Sequence, residues 1–328
     1  MAAFSFTAPT FTEQDALTER ESLAEEVRQQ LEDECFGRVA PVRETPELVE
    51  DALRDMALFL ASIDDKSEYE EALRIAPHLV EQESAPIRFL RCERFNPEKA
   101  AKRLVKYWEV RKALFEDMAF LPMRLDGALQ NDIDTMKIVP DLHFVTGKDA
   151  HGRLVLAANK VHLDFNRFNH KAVNRIAWYH IHVHLEDVDV QRKGLVTVGF
   201  FRINSPKQFD RRQTKMFLTL IGEALPIKLK CAHICQPPLF FNVVYPIIRF
   251  LMGKEIRLIT RVHSGSEATV VSTLNQYGIS RECLFKCMGG TFEINVDEWW
   301  NKRLDAELSA RRDEAPRGHE DVTDMDEA

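Results

Sequence analysis

The stretch Leu225–Met252, LPIKLKCAHICQPPLFFNVVYPIIRFLM, decides the reading of this chain. Leu229 to Ile234 is apolar on both parities of an extended strand, as expected for a strand covered on both faces. After Pro237-Pro238, the run from Leu239 to Met252 is apolar on every side of a helix. A helix of that kind is buried, or it faces lipid. Lys228 and Lys230 stand before it, and Arg249, Lys254 and Arg257 at and beyond its end. An apolar element rimmed by cations suits an anionic membrane surface.

The same buried-strand pattern recurs at Leu195 to Ile203, and shorter strand signals occur at 143–146, 154–161 and 258–262. The first two short ones flank GKDAHG (147–152), a turn-rich connection suited to a hairpin. Helical periodicity fills the gaps, at about 170–190, 210–224, 240–252 and 266–276. Before residue 118 the pattern is helical throughout. Thr12 opens a charged helix to about Cys35, Pro46 opens a second, and Asn96-Pro97 caps a third whose Ala101, Leu104, Val105 and Trp108 share a face. The expected fold class is α/β. A helical domain (13–118) precedes a mixed-sheet α/β domain (119–303), with disorder at 1–12 and an acidic, largely disordered tail over 304–328.

Of 328 residues, 45% are apolar and 29% charged, the balance of an ordinary globular protein, and the net charge is −8. That charge is uneven. Residues 1–60 hold 14 acidic against 5 basic side chains and residues 311–328 hold 7 against 3, which leaves +5 for the body between. No nucleic-acid motif accompanies the basic residues, so nucleic acid is not an expected partner. Met1 to Thr12 lacks a basic and apolar leader, and six cysteines without one read as reduced thiols of a cytoplasmic protein.

Catalytic chemistry finds little support. There is no Gly-rich phosphate loop and no Gly-x-Ser-x-Gly elbow, so no catalytic residue, cofactor or metal is assigned. His180 and His184 sit one helical turn apart, a spacing that can hold zinc, yet they fall in the stripe Val173, Ile176, Ala177 and Ile181 of a packed helix. Cys231 and Cys235, like Cys283 and Cys287, are spaced by four. On a strand the first two sulfurs lie about 13 Å apart, too far for one tetrahedral ion with bonds near ~2.3 Å. Packed core thiols account for them better.

Several segments, in order, resemble the CRAL-TRIO lipid-binding family. They are IRFLRCERFNPEKAAKRLVKYWEVR (87–111), KDAHGRLVL (148–156), QRKG (191–194), LPIKLK (225–230), HICQP (233–237) and MGG (288–290). The likeness spans roughly residues 45–300 and looks closest to the tocopherol transfer and retinaldehyde-binding branch. It implies a cavity for one lipophilic molecule, floored by the sheet and closed by a mobile amphipathic helix that opens on a membrane. Carried over by position, the cavity would be lined by Ala177, Trp178, Ile181, Leu195, Thr197, Gly199, Phe217, Leu220, Ile221, Leu229 and Ala232. Phe241, Val244, Ile248 and Leu251 would form the lid, and Lys228, Lys230, Lys254 and Arg257 would bind phosphoinositide phosphates. Glu93 stands where the family's helical domain has a further basic residue. Ile227 replaces the Glu of the phosphatidylinositol transferases, which favours an apolar cargo.

The resulting expectation is a non-enzymatic carrier in the cytoplasm, reversibly membrane-associated, whose partners are a hydrophobic small molecule or lipid and a phosphoinositide surface. Its rivals are a lipid-sensing adaptor that uses the acidic ends as protein contacts, and a zinc enzyme built on His180 and His184.

Overall fold

A computed structural model describes residues 18–138, 140–161, 169–202 and 208–314. The disorder expected at 1–12 and beyond residue 314 lies outside the described residues, as do Thr12, proposed to open the first helix, and the last residue of the strand expected over Leu195 to Ile203.

Five strands form one mixed sheet in sequential order: β1 Phe144–Lys148, β2 Leu154–Asn159, β3 Leu195–Phe200, β4 Leu229–Cys235 and β5 Thr260–His263. β1 and β2 pair antiparallel, and the remaining neighbours pair parallel. The hairpin between β1 and β2 is held by Asp149. Its Oδ1 accepts from the His151 and Arg153 amides, both at 2.9 Å, and its Oδ2 from Arg153 Nε at 2.7 Å. Gly152 supplies the positive φ (+78°) that this turn needs. The Arg153 guanidinium then donates to the carbonyls of Glu34, Cys35 and Tyr277, tying the hairpin to both ends of the chain.

Register decides which side chains meet. Leu156, Thr197 and Ala232 stand abreast, followed by Ala158, Gly199 and Ile234. Alternation puts these six on one face of the sheet and Val196, Val198, Cys231 and His233 on the other.

The N-terminal part is helical: α1 Glu25–Cys35, α2 Pro46–Ser62, α3 Ser67–Ile75, α4 Pro77–Glu83, α5 Pro86–Cys92 and α6 Pro97–Phe115. Asn96 caps α6 by accepting from the Lys99 amide at 2.9 Å, with Pro97 in the first turn. The centre of this region is Arg111, fully buried, which donates to Glu83 (2.5 Å), to the Tyr107 hydroxyl (2.9 Å) and to the carbonyls of Ala119 and Leu121. Removing one partner of a buried ion pair typically costs about 3–5 kcal/mol. Arg111→Ala is therefore expected to lower unfolding stability by that order, measured by urea denaturation.

The later helices are α7 Ile133–Ile138, α8 His170–His182, α9 Val188–Lys193, α10 Arg211–Thr219, α11 Phe241–Leu251, α12 Lys254–Leu258, α13 Glu267–Gln276 and α14 Val296–Glu314. Several boundaries differ from expectation, among them that of the first helix, which is interrupted over residues 22–24 ahead of α1. The single helix read over 170–190 breaks at His182, and Asp187 caps α9 by accepting from the Asp189 amide at 2.8 Å. The tail expected from residue 304 is helical as far as Glu314. Its anchor is Glu307, 6% exposed, whose carboxylate accepts from the Leu125 amide (2.9 Å), the Tyr179 hydroxyl (2.5 Å) and Arg303 Nε (3.1 Å).

Candidate functional site

Helix α11, expected from the sequence to act as a lid, has two faces. Phe241, Val244, Tyr245 and Ile248 of α11 are buried and form a cluster with Leu218, Ile234 and Met252, and Leu251 packs on its margin. The other face meets solvent: Leu239 is 96% exposed, Val243 64% and Phe250 87%. A step of seven residues keeps Val243 and Phe250 on one side of α11, and Leu239 lies in the turn just before it. Pro246 stands inside α11 and removes one internal hydrogen bond. No helix among the described residues is long and apolar enough to cross a membrane.

Beneath α11, at the C-terminal ends of β2, β3 and β4, lies a mostly apolar cavity of about 70 Å³. This end of a parallel sheet is where open α/β folds accommodate ligands. Thr197, Gly199, Phe217, Ile221, Ala232 and Ile248 line it, together with Leu156, Ala158, Phe201, Leu218, Met252 and Ile256. Trp178, Ile181, Leu195, Leu220 and Leu229 stand outside that wall, in the main core, and Ala177 is buried outside it as well. For Trp178 the reason is visible: its ring packs against Tyr107 (4.9 Å) and Phe115 (5.7 Å) of α6. Four polar wall residues, His143, Lys160, Thr214 and His233, escaped the sequence reading. Strand parity was the available signal, since Lys160 continues the alternation of Leu156 and Ala158.

The four basic residues of the rim divide. Lys254 is exposed. Lys228 lies 3.5 Å from Glu255 and 4.0 Å from Glu93, and Lys230 lies 3.7 Å from Glu34. Arg257 meets Glu19 at 3.0 Å, and the same carboxylate binds Arg249 of the lid at 2.5 Å. Glu32 adds a pair to Arg261 at 2.7 Å. The acidic N-terminal segment thus lies across the rim and pins the lid. Lys228 and Lys230 also open onto a second cleft of about 170 Å³, which Arg94, Arg192 and Lys193 share.

Glu44 joins the two halves of the molecule beside that cleft. It accepts from Arg192 Nε at 2.7 Å and from Arg91 Nε and Nη2 at 3.0 and 2.9 Å. The Arg192 hydrogen bond above all, helped by Arg91, holds its carboxyl at about 2 against an ordinary 4.5. A depressed folded-state value stabilises above the unfolded value and is lost as pH falls through the folded one. Between pH 4.5 and 2, the melting temperature is expected to fall more steeply for the wild type than for Glu44→Gln.

His180 packs between Phe144 (4.2 Å) and Trp299 (5.0 Å), and burial lowers its imidazole to about 3. His184 turns Nδ1 to the His180 carbonyl at 2.8 Å. Cys231 and Cys235 are buried on β4, Cys283 is buried, and Cys287 is exposed. Among the described residues, no group of three His, Cys, Asp or Glu side chains is placed to hold a metal.

Residues 140–290 match the family model of the CRAL/TRIO domain. Among curated proteins, tyrosine-protein phosphatase non-receptor type 9 of Rattus norvegicus and of Homo sapiens are each 28% identical over 134 residues. The matches cover 40% of this chain and 21% of theirs, so the chain spans about a fifth of the length of these relatives. The Mus musculus protein is 29% identical over 115 residues, 35% of this chain and 18% of its own. The phosphatase activity in that name belongs to those proteins. A solved structure, the crystal structure of Sfh5, aligns with a TM-score of 0.47 at 13% identity, over 82% of this chain and 100% of that one. CRAL/TRIO proteins bind lipophilic ligands. The part of the chain that is similar to the CRAL/TRIO family model, residues 140–290, takes in the whole of the mixed sheet and α11.

Proposed function

We propose that the protein is a non-enzymatic carrier that holds one lipophilic molecule between sheet and lid and exchanges it at phosphoinositide-containing membranes from the cytosol, in the manner of the tocopherol transfer branch. One observation carries the reading: α11 buries Phe241, Val244 and Ile248, the last of them in the wall of an apolar cavity, while Val243 and Phe250 of its other face and Leu239 just before it meet solvent. The cavity of about 70 Å³ is smaller than the ~300–1,000 Å³ of small-molecule sites, so loading requires the lid to move. Exposed apolar side chains on the outer face give the moved lid somewhere to go, because a bilayer buries what water does not.

Lys228, Lys230, Lys254 and Arg257 would meet the headgroups, at about 1 kcal/mol for each basic residue near an anionic leaflet. Three of the four have a carboxylate of the chain beside them, so headgroup phosphates compete with Glu19, Glu34 and Glu255. Contact with the membrane then weakens the Glu19–Arg249 tie, and rim binding and lid release become one event. The adaptor reading draws less support, since Glu19, Glu32 and Glu34 are engaged within the chain.

Mass spectrometry of organic extracts from the purified full-length protein tests the reading. A stoichiometric lipophilic compound is expected. Extracts without one, together with no uptake from vesicles of mixed lipid, would sink the proposal.

A further inference from the structure

Lys160 and His143 are two of the polar side chains in the cavity wall, beside Thr197, Thr214 and His233. Lys160 follows β2 directly, and alternation places it on the face of Leu156 and Ala158. Its Nζ lies 4.7 Å from the centre of the Phe201 ring, and no carboxylate of the described residues offers it a counter-charge. Burial alone acts on this ammonium and lowers it to about 8. His143 precedes β1 and stands across from Ala158 by extension of the antiparallel register. It is 2% exposed, yet both ring nitrogens lack a hydrogen-bond partner. Its ring packs 4.2 Å from Phe217, itself part of the wall, and its backbone holds φ at +56°. That region is uncommon outside glycine. Burial first, and then the Lys160 charge, keep the imidazole neutral, so it presents one N–H donor.

A buried donor without an acceptor costs about 1–3 kcal/mol, and more when it is charged. The His143 imidazole is a donor of that kind and half-buried Lys160 adds a positive charge beside it, so a partner rich in acceptors and negative suits this corner. We infer that the cargo carries a carboxylate, held by the Lys160 ammonium and the His143 imidazole, with its hydrocarbon lying under the lid. The inference rests on the carrier reading and names the class of its cargo. An alcohol or ester leaves the ammonium without its counter-charge. A glycerophosphate head brings up to two negative charges to a corner where Lys160 supplies one positive charge, whereas a carboxylate matches it one for one.

The test uses full-length protein at pH 7 and the partition of four radiolabelled lipids from neutral vesicles: oleic acid, oleyl alcohol, methyl oleate and oleoyl lysophosphatidic acid. Oleate is expected to bind at least about tenfold tighter than the alcohol and the ester, the scale of one charge-assisted hydrogen bond. Lys160→Met should reduce that preference to about twofold while leaving alcohol binding in place, Lys160→Arg should keep most of it, and His143→Asn, which tolerates positive φ, should weaken oleate alone. Equal binding of oleate, alcohol and ester by the wild type overturns the carboxylate, whatever the variants do. Tighter binding of the lysophospholipid replaces it with a phosphate. Failure of all four to bind counts against the carrier reading itself.

Discussion

Vesicle-to-vesicle transfer by Val243→Asp/Phe250→Asp protein is expected to fall by about 100-fold or more, with its melting temperature unchanged within a degree or two. Both side chains are exposed, 64% and 87%, and neither belongs to the buried cluster beneath the lid. Folding loses little when they change. Membrane insertion loses a great deal, because burying a Val or Phe contributes about 1.5–3 kcal/mol each and a carboxylate on that face reverses the sign. Stopped-flow energy transfer between donor and acceptor vesicles reads the rate. A variant that transfers as fast as the wild type means the lid face does not enter the bilayer.

Binding to phosphoinositide vesicles is expected to move in opposite directions for two sets of rim variants. Lys228→Ala/Lys254→Ala removes two cations at about 1 kcal/mol each, so affinity at low salt should drop roughly 30-fold. Glu19→Gln removes the carboxylate shared by Arg249 and Arg257, and affinity should rise about fivefold as those charges become available. Flotation at 20 and 200 mM salt measures both, and the difference should shrink with salt as the Debye length shortens. If Glu19→Gln leaves binding unchanged, the acidic segment does not compete with headgroups.

Local pattern carried the fold because the strands announce themselves locally. Leu195 to Phe200 and Leu229 to Cys235 are buried on both faces, and Asn96-Pro97 and the Asp149-to-Arg153 hairpin are written in adjacent residues. The break before α9 depends on an Asp187 cap inside a run of helical periodicity, and the extension of α14 depends on Glu307 reaching Leu125 and Tyr179. A polar tail looks disordered until its one buried carboxylate is matched with a partner 182 residues away. The lid residues were legible as a stripe, but which of them face inward is set by Ile234 and Leu218 on other elements. The Glu19 contacts span 230 and 238 residues, a separation at which no spacing rule operates. Six of the expected lining residues stand away from the closed cavity, Trp178 for a related reason. Family position fixes the layer of the sheet, whereas the depth to which α6 fills it is set by Tyr107 and Phe115 of this chain.

The central claim is that α11 must move for cargo to pass. Replacing Val244 and Ala232 with cysteine puts one thiol on the buried face of the lid and one on the sheet beneath it, so that a bifunctional thiol reagent can tether them. The measurement is transfer of a lipophilic fluorophore between vesicles before tethering, after it, and after its reductive release. The account predicts full transfer, near-complete loss and recovery, in that order, with the Cys→Ser background variant unaffected by the reagent. Undiminished transfer by the tethered protein would contradict it.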